Sequence, residues 1–151
     1  MVEQSLYDAA GGRPAMVALA HAWHERVLAD PVVSHAFEHG FHPDHTERLA
    51  AYFAEALGGP TAYSSSVGDQ SEVVRMHSGN GPHDEMDQLA LAAFVAALDD
   101  AGLPDDERLR TALTDYFAWG IADVNHSYRE VDDVPDGLPL PRWSWDGLVT
   151  D

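Results

Sequence analysis

The sequence predicts an all-α domain, and three observations carry that prediction. Apolar residues recur at three- and four-residue intervals along four long stretches. Breaks rich in glycine and proline separate those stretches. No segment alternates apolar and polar residues as a half-buried strand would. At 151 residues the chain has the length of one domain that can bury its own core.

The elements follow in order. Met16, Leu19, Ala20, Trp23 and Val27 share one helical face behind Pro14, which suits a first turn. Asp30-Pro31 ends that helix, because a residue before proline is pushed out of helical geometry. A turn-rich stretch runs to about Pro43. Asp44, with Glu47 three residues on, predicts a capping box. The helix behind it carries Leu49, Tyr52, Phe53, Ala56 and Leu57 and stops at Gly58-Gly59-Pro60. Residues 61–71 are small and polar and read as loop, and a short helix is expected from Gln70 to His77. Ser78-Gly79-Asn80-Gly81-Pro82 is a break. Met86, Leu89, Ala90, Ala93, Phe94, Ala97 and Leu98 then form an amphipathic helix ending near Gly102. Pro104-Asp105-Asp106-Glu107 opens the last helix, with Leu109, Leu113, Tyr116, Phe117, Ile121 and Val124 facing inward. The organisation expected is a helical domain over 1–127 and a Pro-, Asp- and Trp-rich tail over 128–151. Trp143 and Trp145 imply that this tail docks on the domain.

Composition removes several function classes. Acidic residues number 26 against 8 basic ones, all arginine, for a net charge of −18. Nucleic acid and anionic membranes select the opposite surface. There is no cysteine, so disulfides, thiolate metal sites and thiol nucleophiles are absent. The opening residues lack the basic-then-apolar pattern of a signal peptide, and no long apolar run occurs. A cytoplasmic protein is the expectation.

Nine histidines are the chemical signal. His35, His39, His42 and His45 recur at near-helical spacing, but Gly40 and Pro43 interrupt any helix there, so solvated histidines compete with a metal site. His77 ends a short helix before a glycine-rich break. A histidine so placed can offer one neutral nitrogen to a metal while the other donates a hydrogen bond; a lone surface or core histidine is the competing reading. His24 and His45 fall at inward positions of two helices, either satisfied in the core or lining a pocket. Arg48 and Arg75 can pair with an anionic group, or with surface acids.

Taken together, several segments resemble the truncated haemoglobins, and the group II branch most. They are Leu6-Tyr7-Asp8-Ala9-Ala10-Gly11-Gly12, Asp30-Pro31 with Phe37 following, Gly58-Gly59-Pro60 with Tyr63 three residues on, Arg75-Met76-His77, and Val124-Asn125. The likeness spans about residues 5–127. It implies a two-over-two helical sandwich that binds haem b. By position, His77 would ligate the iron and Phe37 would stack on the haem. His24, His45 and Leu49 would face the distal side, with Phe53 near the haem edge or a ligand path. Arg48 and Arg75 would meet the propionates.

The sequence departs from the group II pattern where the chemistry lies. His24 stands where a tyrosine is usual, and Ala90 where a tryptophan is usual, which would open space. Imidazoles in place of fixed donors would make the donor set depend on pH and could serve as general acid and base. Direct coordination of iron by His24 or His45 is a further use. The resemblance implies a haem globin binding O2, NO or CO, with nitric oxide dioxygenase or oxygen-handling activity, served by a reductase. An alternative is a haem-dependent peroxidase or oxidase acting on a larger substrate through an open, His-lined pocket. Another is a non-catalytic haem sensor or interaction module. A monomer or weak homodimer is expected.

Overall fold

The structure is a computed structural model that describes residues 4–34, 43–78 and 84–150. Phe37, His35, His39, His42 and His83 lie outside the described residues. The described residues form seven α-helices and one minimal hairpin, as the all-α prediction requires. None of these helices is long and apolar enough to cross a membrane.

Ser5 caps α1 (Leu6–Ala10), its hydroxyl accepting from the Asp8 amide at 3.1 Å. Helix α2 (Arg13–Ala29) begins with Pro14 in its first turn. It stops before Asp30, whose carboxylate collects the Val32 and Val33 amides at 2.8 and 3.2 Å. Helix α3 (His45–Ala56) starts without the expected capping box. Asp44 sits at φ −96°, ψ 20° rather than extended, so its carboxylate is not turned back over the first amides. Helix α4 (Ala62–Ser66) falls in a stretch expected to be loop. Its start is organised from outside: buried Glu55 accepts from the Tyr63 amide at 3.1 Å, the Ser64 amide at 2.8 Å and the Ser64 hydroxyl at 2.6 Å.

Helix α5 (Gln70–His77) matches its expected span, with Asp69 accepting from the Glu72 amide at 3.0 Å. Helix α6 covers Asp84–Asp100 and α7 covers Glu107–His126. Asp106 caps α7 through the Leu109 amide at 3.0 Å, so Pro104 precedes the helix instead of standing in its first turn.

Helices α2 and α3 pack together, α6 and α7 pack together, and α2 lies on α6. The two pairs meet in an aromatic cluster. Phe94, fully buried, stacks on Phe117 with centroids 4.2 Å apart and planes 10° from parallel. Phe53 of α3 meets Phe94, Tyr116 and Phe117 edge-on at 6.0–6.3 Å. Burying each such ring contributes about 1.5–3 kcal/mol.

The Gly58-Gly59 pair lets α1 close on the end of α3. Gly58 has φ +95°, and a Cβ on Gly59 would stand 2.7 Å from both the Ala54 carbonyl oxygen and the Tyr7 ring. The Tyr7 amide meanwhile donates to the Leu57 carbonyl at 2.9 Å.

Beyond α7 the tail makes a 3-10 turn at Val131–Asp133 and buries Val134. It ends in a hairpin of β1 (Trp143–Ser144) and β2 (Gly147–Leu148). Trp143 packs on Tyr116 and Trp119 of α7, and the Trp145 indole donates to the Gln4 carbonyl at 2.6 Å. The two indoles thus tie the tail to α7 and to the residue before Ser5.

Candidate functional site

His77 ends α5 with its ring held by its own helix. Its Nδ1 lies 2.7 Å from the Val73 carbonyl oxygen one turn back. A carbonyl only accepts, so Nδ1 carries the proton in this contact and the neutral ring's lone pair falls on Nε2. His77 is exposed at the end of α5, yet neighbouring protein still desolvates its ring. Burial lowers the pKa of His77; the Val73 contact and the Asp87 carboxylate act in the opposite sense.

Two further imidazoles converge with it. His24 of α2 is buried, and its Nδ1 lies 3.4 Å from the Thr46 hydroxyl of α3. His45, the first residue of α3, sets its ring 4.6 Å from that of His24 at a tilt of 42°. Burial, then His24, then His77 hold the pKa of His45 down to about 4. His24 is lowered as well, chiefly by burial. His45 therefore stays neutral well below neutral pH, because its ring is desolvated beside other imidazoles.

The remaining sequence-predicted residues divide. Leu49 is half-buried against the main core, and Arg48 is exposed on the same helix, with its charge felt at the Tyr63 hydroxyl. Phe53, expected at a haem edge or ligand path, is 2% exposed within the aromatic cluster. Arg75, expected at a propionate, directs its guanidinium to the tail: it donates to the Val134 carbonyl at 3.1 Å and to the Asp136 carboxylate. The space expected at Ala90 is flanked by Trp23, whose indole donates to the Ala90 carbonyl at 3.0 Å and meets Phe117 edge-on.

Sequence reasoning missed two contacts. The half-buried Tyr52 donates its hydroxyl to Gln70 Oε1 at 2.7 Å, tying α3 to the first residue of α5. Asp87 accepts from Asn125 at 2.8 Å and lies 2.9 Å from His126, joining the start of α6 to the end of α7. Both join residues distant in sequence, and neither has a local pattern that announces it.

Comparison with known proteins bears on the family and the fold. A family model described as bacterial-like globin matches residues 5–120. A thermostable haemoglobin from Thermobifida fusca is similar at 27% identity, covering 82% of this chain and 98% of that one, with a TM-score of 0.69. The haemoglobin of Chloroflexus aurantiacus is 24% identical over 81% and 98% of the two chains, at 0.68. The group II truncated haemoglobin of Bacillus anthracis is 17% identical over 89% and 100%, at 0.72. The last two likenesses concern the fold.

Proposed function

Since the chain belongs to the bacterial-like globin family and is thereby a haem-binding globin, we propose that His77 is its iron ligand and that diatomic gases bind on the side of His24 and His45. The observation that carries this reading is the 2.7 Å contact between His77 Nδ1 and the Val73 carbonyl. It fixes the tautomer that directs a lone pair from Nε2, the donor a haem iron requires. The group fits this donor set, which combines one oriented imidazole with a nearby pair of imidazoles.

Haem b, when bound, supplies capture of O2, NO or CO at ferrous iron and one-electron exchange. The chain's own residues supply the rest. The Val73 carbonyl keeps the His77 ring from turning, and the Asp87 carboxylate favours electron density on it. Neutral His24 and His45 each offer one N–H donor and one acceptor. Together they would hold a polar diatomic ligand and pass a proton to or from it. Leu49 and Phe37 supply apolar contact to the ring in this reading, and Arg48 pairs with a propionate. Oxygen handling or nitric oxide dioxygenation, with a reductase restoring ferrous iron, is the activity that such a pocket suits.

The test is an absorption spectrum of the ferric protein and of its ferrous CO form, beside a His77→Ala variant. A Soret band that shifts or weakens in the variant supports the assignment. An unchanged band would give the iron another ligand. No band after adding hemin would remove the reading altogether.

A further inference from the structure

We propose that residues 134–138 form a strap holding the rear of α5, and that Ser71 and Arg75 are positioning residues for His77. The inference rests on the reading of His77 as the iron ligand. It concerns a part of the chain beyond the globin match, which stops at residue 120.

Helix α5 has eight residues, or about 12 Å at 1.5 Å per residue, and a helix so short has little stability alone. Its position must therefore come from its contacts. At about 100° per residue, Ser71 and Arg75 share one face, and Val73 and His77 lie on the opposite one. The first face is bound to the tail. Ser71, with no exposed surface, donates its hydroxyl to the Pro135 carbonyl at 2.6 Å and accepts from the Leu138 amide at 2.9 Å. Arg75, one turn on, donates to the Val134 carbonyl at 3.1 Å and to the Asp136 carboxylate. Two side chains thus make four hydrogen bonds to a segment shaped by Pro135 and by Gly137 at φ +75°.

The strap is itself anchored on both sides. Upstream it leaves the end of α7. Downstream, Trp143 sits on Tyr116 and Trp119, Trp145 bonds the Gln4 carbonyl, and the Arg108 guanidinium lies 4.4 Å over the Trp145 ring. Tyr52 holds the first residue of α5 from another direction. A helix fixed at the rear presents His77 at a set depth. Loosening the strap would let α5, and His77 with it, move.

The experiment uses full-length Ser71→Ala and Asp136→Ala, with Asp99→Ala as a control that breaks a surface ion pair to Arg110 away from the strap. Two readouts are taken: amide exchange of the haem-free protein, and the iron–histidine stretching band of the ferrous haem-loaded protein. In Ser71→Ala, exchange over α5 should quicken roughly thirty-fold, as expected for losing two hydrogen bonds of ~1 kcal/mol each. The stretching band should also shift or broaden. Asp136→Ala, whose side chain is 93% exposed and therefore leaves folding intact, should act in the same direction by about two-fold. A loss of general stability would instead quicken exchange in every helix and leave the band in place. Unchanged α5 exchange and an unchanged band in both variants would overturn the strap while leaving the haem reading intact. A wild-type protein that takes up no haem would overturn the haem reading, and the positioning role with it.

Discussion

His45 and His24 hold their imidazole rings 4.6 Å apart, each on a different helix and each with a lowered pKa. Folded His45 takes a proton only at about 4, whereas the unfolded chain takes it near 6.5. Between those values the unfolded state binds more protons, so stability is complete above the upper value and falls as pH drops through the window. His24 and His77 are lowered too and add to the same slope. Urea midpoints of the haem-free protein should decline across this window, and His45→Leu should flatten the decline. An equal slope in the variant would mean that other groups set it.

The aromatic cluster should carry much of the fold's stability. Phe94 is fully buried between Phe53 and Phe117. Replacing it with alanine should cost about 3–5 kcal/mol in urea unfolding, as a large cavity among rigid rings relaxes little. A loss under ~1 kcal/mol would show that the cluster collapses to fill the gap.

Glu55 should matter more than its charge suggests. It serves two amides and a hydroxyl at the start of α4 from a buried position. Glu55→Ala strands those donors and should destabilise by about 2–4 kcal/mol, with Glu55→Gln costing roughly half because one acceptor remains. Equal losses for the two variants would assign the effect to charge and not to acceptor geometry.

Trp23 should control access beside Ala90. Trp23→Phe removes the bond to the Ala90 carbonyl while keeping one aromatic ring, and losing that bond should cost about 1 kcal/mol. Trp23→Ala also removes the ring's bulk, and should speed binding of bulky isocyanides relative to CO when flash photolysis compares them. Parallel changes for both ligands would place the indole off the ligand's route.

The parts legible in the sequence were those with local causes. The Leu109, Leu113, Tyr116 and Phe117 stripe marked α7, and Asp30-Pro31 marked the end of α2, since periodicity and proline sterics act within a few residues. Helix α4 was hidden because Glu55, eight positions before Tyr63, organises its start. The distal pair was partly legible: inward positions follow from spacing, but the lowered pKa of His45 comes from tertiary burial first and then from rings on other helices. Phe53 and Arg75 were assigned by resemblance to a cofactor edge. Tertiary partners claimed both, the aromatic cluster one and the tail the other. Trp143 and Trp145 announced docking, yet nothing local names Tyr116, Trp119 and the Gln4 carbonyl as their targets.

The contact between Trp145 and Gln4 joins residues 141 positions apart, and the Ser71 contacts to Pro135 and Leu138 span 64 and 67. Helices form from neighbours, whereas such distant pairings must first close very long loops. On the ribosome, residues 134–145 emerge after all seven helices. A nascent chain thus assembles its helical layers first and acquires the clasp on α5 as a late kinetic step.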